Sequence, residues 1–313
     1  MLELLVNKNM LLNVTHRTRY DYDPAVVTAH HILHLTPPNM VQQEVIAHSL
    51  NIEPYPGEKR STLDIFGNVS TYVAMHSAHE FLDIVAMSQI KTDVPVINLD
   101  TLTIDWPLGW REVQNHFEYK ASAKWSEAVQ YLFASPMVPI HNDLKNYAAI
   151  SFNSQSTLLG CVRNLMERIH HEFIYEAKST DINTPVLKAL AQRKGVCQDF
   201  AHVMLGCCRS MGIAARYVSG YLLTQPPPGQ VKLIGGDASH AWISIYCPTD
   251  LETMQGVWFD FDPTNNKMGQ YSPGNDYVTL ATGRDYSDVS PVRGVIQGSL
   301  EHSLKVEVTV EAF

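Results

Sequence analysis

Cys197 stands in Lys194-Gly195-Val196-Cys197-Gln198-Asp199-Phe200, just after a glycine and at the start of a segment that reads as a helix. A thiol there lies near backbone N–H groups without intrahelical partners and at the positive end of the helix dipole, which together favour the thiolate. The thiolate is the nucleophilic form. Acyl transfer through it needs an imidazole within hydrogen-bond reach, and that imidazole needs a carboxylate or amide to hold its tautomer. His240, in Asp237-Ala238-Ser239-His240-Ala241-Trp242, and Asp262, in Trp258-Phe259-Asp260-Phe261-Asp262-Pro263-Thr264, have the required types.

The elements around these residues decide whether they can meet. Residues 239–247 and 257–262 alternate as strands, with His240, Trp242, Ser244 and Tyr246 in one phase and Trp258, Asp260 and Asp262 in the matching phase of the second. A hairpin centred on Leu251 would set His240 directly opposite Asp262, with Asp260 a competitor on the same face. Ahead of them, residues 126–133 and 143–149 read as short helices. Ser156 can cap a longer one whose apolar face is Leu158, Val162, Leu165, Met166, Ile169 and Phe173. Thr184 and Pro185 open the next, with Gly195 closing it, and the cysteine helix runs to Gly212. Residues 214–223 and 302–310 alternate as further strands. Residues 11–125 read mainly as strands, with turn chemistry at 51–57 and 64–68. The expected class is α+β: a β-rich N-terminal domain over residues 1–124, then a catalytic domain over 125–313 with helices packed on an antiparallel sheet, its last strand free to return to the first domain.

At these residues the chain resembles the bacterial transglutaminase-like proteins, which have a papain-like fold. Gly195-Val196-Cys197-Gln198-Asp199-Phe200, Asp237-Ala238-Ser239-His240-Ala241-Trp242 and Phe261-Asp262-Pro263-Thr264-Asn265 look like the family's three motifs. Residues 216–221 and 283–289 are similar to further family segments, and residues 16–38 with 64–68 resemble the β-rich region that precedes the core in many members. The resemblance implies a triad in which Cys197 attacks a peptide or amide carbonyl, His240 shuttles the proton and Asp262, preferred over Asp260, orients His240. The Cys197 backbone N–H would meet the oxyanion, with Gln198 and Trp242 as candidates for a second donor. Water as acceptor makes the enzyme a cysteine protease or amidase; an amine makes it a transglutaminase, and a deamidase or a non-catalytic peptide-binding module of the same fold are further alternatives.

The rest of the chain narrows the setting. Its 313 residues carry a net charge of −9, which disfavours nucleic acid and anionic membranes as partners and leaves a peptide or protein substrate. Five cysteines without a Cys-x-x-Cys pair do not form a disulfide framework or a zinc site, and residues 1–6 lack the basic start of a leader, so a cytoplasmic protein is expected. His16, His30, His31 and His34 lack a cysteine or carboxylate to complete a ligand set, and His170-His171 suit the last turn of a helix. Gly235-Gly236-Asp237 reads as a turn rather than a phosphate loop. No metal or cofactor is implied.

Overall fold

The computed structural model describes residues 9–95, 98, 100–102, 106–119, 121, 126–153, 156–176, 184–224, 239–252, 255–298 and 301–313. The proline-rich segment at 225–229, the Gly235-Gly236-Asp237 turn and Ala238 of the histidine motif lie outside them. Six strands come first: β1 (Met10–Val26), β2 (Thr28–Thr36), β3 (Gln43–Glu53), β4 (Glu58–Leu63), β5 (Val69–Met75) and β6 (His79–Thr92). They form two four-stranded antiparallel sheets completed by the chain's last strands, β14 (Val292–Gln297) and β15 (Glu301–Ala312). The orders are β15-β1-β6-β3 and β14-β2-β5-β4. Alternation explains the packing: Leu12, Val14 and Leu82 of one sheet share a core with Leu33, Leu35 and Val73 of the other.

Two amide side chains fasten this sandwich to the second unit. Gln43 donates to the Thr279 carbonyl (2.9 Å) and accepts from the Thr279 N–H (2.8 Å). Asn68 does the same at Thr282, at 2.8 Å in each direction. Both targets lie on β13 (Tyr277–Gly283), the outer strand of the second sheet, so each amide satisfies edge groups a further strand would have taken. Asn68 is itself fixed by a turn in which Asp64 Oδ1 accepts from the Phe66 and Asn68 N–H groups (2.8 and 2.9 Å) and Gly67 takes φ 83°.

The second unit is a five-stranded sheet, order β12-β11-β10-β9-β13, made with β9 (Ala215–Leu222), β10 (Ser239–Pro248), β11 (Gly256–Asp262) and β12 (Lys267–Gln270). Helices cover it: α1 (Trp110–His116), α2 (Asn142–Ala149), α3 (Leu158–Glu172), α4 (Val186–Gln192), α5 (Cys197–Ser210) and short α6 (Tyr286–Val289), with a 3-10 turn at Glu127–Leu132. Helix α5 lies at the centre, buried at every position from Asp199 to Ser210. Among the described residues no helix is long and apolar enough to cross a membrane.

The mainly extended stretch up to residue 125 also holds α1, which buries Trp110 and Val113. Three local expectations need correction. Thr157, not Ser156, caps α3, accepting from the Gly160 N–H at 3.0 Å. Helix α4 is capped by Pro185 and closes at Arg193 in the left-handed region (φ 53°) instead of at Gly195. Lys194 and Gly195 instead form β8, parallel to β7 (Ile174–Tyr175). Finally, the β10–β11 hairpin is centred on Glu252. Ile243 faces Phe261 and Pro248 faces Gly256, because Pro248 stays in the strand and the Thr249 N–H closes the turn on the Gln255 carbonyl at 2.9 Å. Asp262 therefore lies diagonally across from His240, offset by two residues, and an even offset keeps both on one face.

Candidate active site

Cys197 occupies the first position of α5, and the helix start is built by its neighbours. The Asp199 carboxylate reaches back to accept from the Val196 N–H at 2.8 Å. Gly195 is required beside it for space: a Cβ there would meet Asp199 Oδ2 at 2.5 Å. All five cysteines are free and Cys197 alone is not buried. Burial pushes the other thiols up, that of Cys161 to about 11.

His240 lies at the start of β10 with its ring between the thiol and the carboxylate. Its Nε2 donates to Asp262 Oδ2 at 2.7 Å, which leaves Nδ1 as the nitrogen for a second partner, and Cys197 lies near enough to raise the pKa of the ring. The Cys197 Sγ also lies 4.0 Å from the Ser239 carbonyl oxygen. Burial opposes a charge on His240, but the bonds to Asp262 and Cys197 outweigh it and raise its pKa to about 10. Burial likewise opposes the Asp262 carboxylate, and the His240, Tyr277 and Asn265 donors more than compensate, holding it below the usual carboxylate range. Tyr277 Oη and Asn265 Nδ2 each approach Oδ2 at 2.7 Å, while the Thr264 and Asn265 N–H groups bond Oδ1 at 2.8 and 3.2 Å. Asn265 falls within the third motif. Tyr277 carries no sequence signal, since it reaches Asp262 only through the pairing of β13 with β9.

Comparison with known proteins settles the lineage. Residues 12–91 match the bacterial transglutaminase-like N-terminal region and residues 146–263 match the transglutaminase-like superfamily. An uncharacterized protein of Mycobacterium tuberculosis is 36% identical over 300 residues, covering 95% of this chain and 91% of its own. The chain belongs to the transglutaminase-like superfamily. A second relative, an uncharacterized protein of Mycobacterium leprae, is 28% identical over 299 residues, covering 96% of this chain and 98% of its own. Among solved structures, a candidate cysteine protease from Cytophaga hutchinsonii has the same fold, with a TM-score of 0.73 and 20% identity over 97% of this chain and 91% of that one.

Within this transglutaminase-like core the remaining candidates separate. Trp242 is fully buried and its indole N–H goes to Asp260 Oδ2 at 2.7 Å, so it has no donor for an oxyanion. Its ring lies across Gly220, where a Cβ would fall 2.5 Å from the indole, and packs edge-on against Tyr277. Asp260 is not a rival acid. It holds Trp242 and Ser244 rather than His240, and burial raises its pKa. Gln198 stands half-buried at the second position of α5. The N-terminal histidines disperse: His16 bonds Tyr221 and Thr18, His30 bonds Tyr72, His34 bonds the Ser290 carbonyl, and His31 is buried against Tyr20. His170 and His171 end α3 as expected, donating to the Thr264 and Glu167 carbonyls.

Proposed function

We propose that this protein is a thiol-dependent acyl-transfer enzyme that hydrolyses peptide or amide bonds through Cys197, His240 and Asp262. One observation carries the reading: the half-exposed thiol at the start of α5 neighbours an imidazole held at 2.7 Å by a buried carboxylate. In the reaction Cys197 Sγ bonds to the substrate carbonyl carbon, and the backbone N–H at the start of α5 faces the developing oxyanion, with Gln198 as a candidate second donor. His240 gives its proton to the leaving amine as the C–N bond breaks. It then takes one from water, which attacks the thioester and releases Cys197. Asp262 fixes the ring so that Nδ1 faces the thiol throughout.

The shared fold of the Cytophaga hutchinsonii candidate cysteine protease supports the same class. Five unpaired thiols suit the reducing cytoplasm, and the net charge of −9 suits a peptide or protein substrate better than a nucleic acid. The test is mass spectrometry of a peptide library incubated with the wild type and with Cys197→Ala. Cleavage products lost in the variant are the expected result. A deamidation shift or an amine adduct would redirect the assignment to a deamidase or transglutaminase, and identical spectra from both proteins would overturn it.

A further inference from the structure

From Leu304 to Val310 the inner phase of β15 is apolar, while its burial is not uniform. Val308 and Val310 are fully buried in the sandwich core, whereas Val306 and Leu304, next in the same phase, are 49% and 54% exposed. Their partners on β1 are in register: His16 faces Val308, Thr18 faces Val306 and Tyr20 faces Leu304. The outer end of this two-stranded wall is half exposed. It forms one side of a pocket of about 100 Å³ whose other side is Tyr286, Val292 and Ser239. Ser239 is also the residue whose carbonyl lies 4.0 Å from the Cys197 Sγ, so one residue separates the pocket from the thiol. Among the described residues, Leu304 and Val306 are thus apolar groups only half covered at that point.

We infer that this pocket, between the sandwich and the catalytic sheet, receives an aliphatic side chain of the peptide substrate next to the residue whose carbonyl Cys197 attacks. The inference rests on the acyl-transfer reading of Cys197, His240 and Asp262. Its chemistry follows from the lining, where His16 is the one titratable base among the described residues. Burial lowers the His16 pKa to about 4, so the ring is neutral at physiological pH. His16 is also spoken for, with Nδ1 on the Tyr221 hydroxyl at 2.9 Å and Nε2 on Thr18 at 3.1 Å. A charged side chain would lose its hydration there without an opposite charge to meet. Size follows from the volume. An apolar cavity of about 150 Å³ takes benzene, so about 100 Å³ suits valine, leucine, isoleucine or methionine and excludes an indole. The N-terminal sandwich and the last strand thereby supply part of the specificity of a nucleophile carried elsewhere.

The full-length enzyme and a peptide library test this. Peptides turned over by the wild type should share an aliphatic residue at one fixed position beside the reacting carbonyl, with tryptophan excluded there. Val306→Glu should lower kcat/KM for those peptides about tenfold or more, mainly through KM, and move the preference towards lysine or arginine. Leu304→Glu should do the same; both side chains are half exposed, and circular dichroism checks that each variant is folded. Alkylation of Cys197 by iodoacetamide, too small to need the pocket, should keep its wild-type rate in both. Turnover that disappears in Cys197→Ala but shows no preference at any fixed position, or a wild-type profile in both glutamate variants, would overturn the subsite alone. Turnover that survives Cys197→Ala would overturn the acyl-transfer reading beneath it.

Discussion

Asp262 accepts five hydrogen bonds, and only one of them comes from His240. The other four explain why this carboxylate, and not Asp260 two residues earlier, can hold an imidazole in a fixed tautomer. Asp262→Asn replaces one carboxylate oxygen by an NH2 group that donates towards Nε2 and favours the other tautomer of His240. Turnover should fall on the order of 10³–10⁴-fold while the far-ultraviolet circular dichroism stays that of the wild type. Turnover within a few-fold of wild type would remove Asp262 from the mechanism. The same pair shapes stability against pH. The His240 pKa lies above its ordinary 6.5 and that of Asp262 below its ordinary 3.8. By linkage the stabilisation from His240 is complete below pH 6.5 and lost as pH climbs towards about 10. That from Asp262 is complete above pH 3.8 and lost as pH falls below it. Thermal melts should therefore separate the wild type from Asp262→Asn most widely between those limits. The gap should narrow as the solution becomes alkaline, and a gap that widened would contradict the pairing.

At the scale of elements, Gln43 and Asn68 stand in for a missing strand at the edge of β13. Removing either leaves a buried N–H and a buried carbonyl without partners, each worth about 1–3 kcal/mol. Gln43→Ala and Asn68→Ala should each lower the unfolding free energy by a few kcal/mol in urea titrations. A loss below about 0.5 kcal/mol, the size typical of surface changes, would show that water replaces them without cost. Neither role was legible in the chain, because each amide meets its target more than two hundred residues away. Tyr277 was hidden by topology instead, since it lies only 15 residues past Asp262 and returns to it through the pairing of β13 with β9. What could be read was local or periodic: the strand phases of His240 and Asp262, the helix start at Cys197, the Asp64–Asn68 turn. Register was legible only as far as face. Placing the turn one residue early shifted every cross-strand partner by two positions, yet left both residues on the same side of the sheet. Gly195 was visible as punctuation but misread in kind, since its smallness makes room for Asp199 while Arg193 takes the left-handed turn.

On the scale of the whole molecule, the sandwich is finished by strands that follow the catalytic sheet. β15 pairs with β1 along nearly its whole length, from Leu12 opposite Ala312 to Asp23 opposite Glu301, and Val308 and Val310 complete the sandwich core. A chain ending at residue 290 should therefore expose the long edge of β1 and aggregate. Light scattering and a thermal melt of that shortened protein check this, and a soluble monomer with the wild-type melting profile would refute it. The same closure sets an order of events during synthesis. At about 5–20 residues per second, the 300 residues between Leu12 and Ala312 separate the emergence of the two strand partners by about 15–60 s. Only over the last 50 residues, from Asp262 to Ala312, about 2.5–10 s, do the cysteine helix and its histidine exist before the wall beside them. On the proposed reading, the nascent chain thus carries its thiol before it carries the surface assigned to choosing among peptides. Translation itself delays recognition until the final strand arrives.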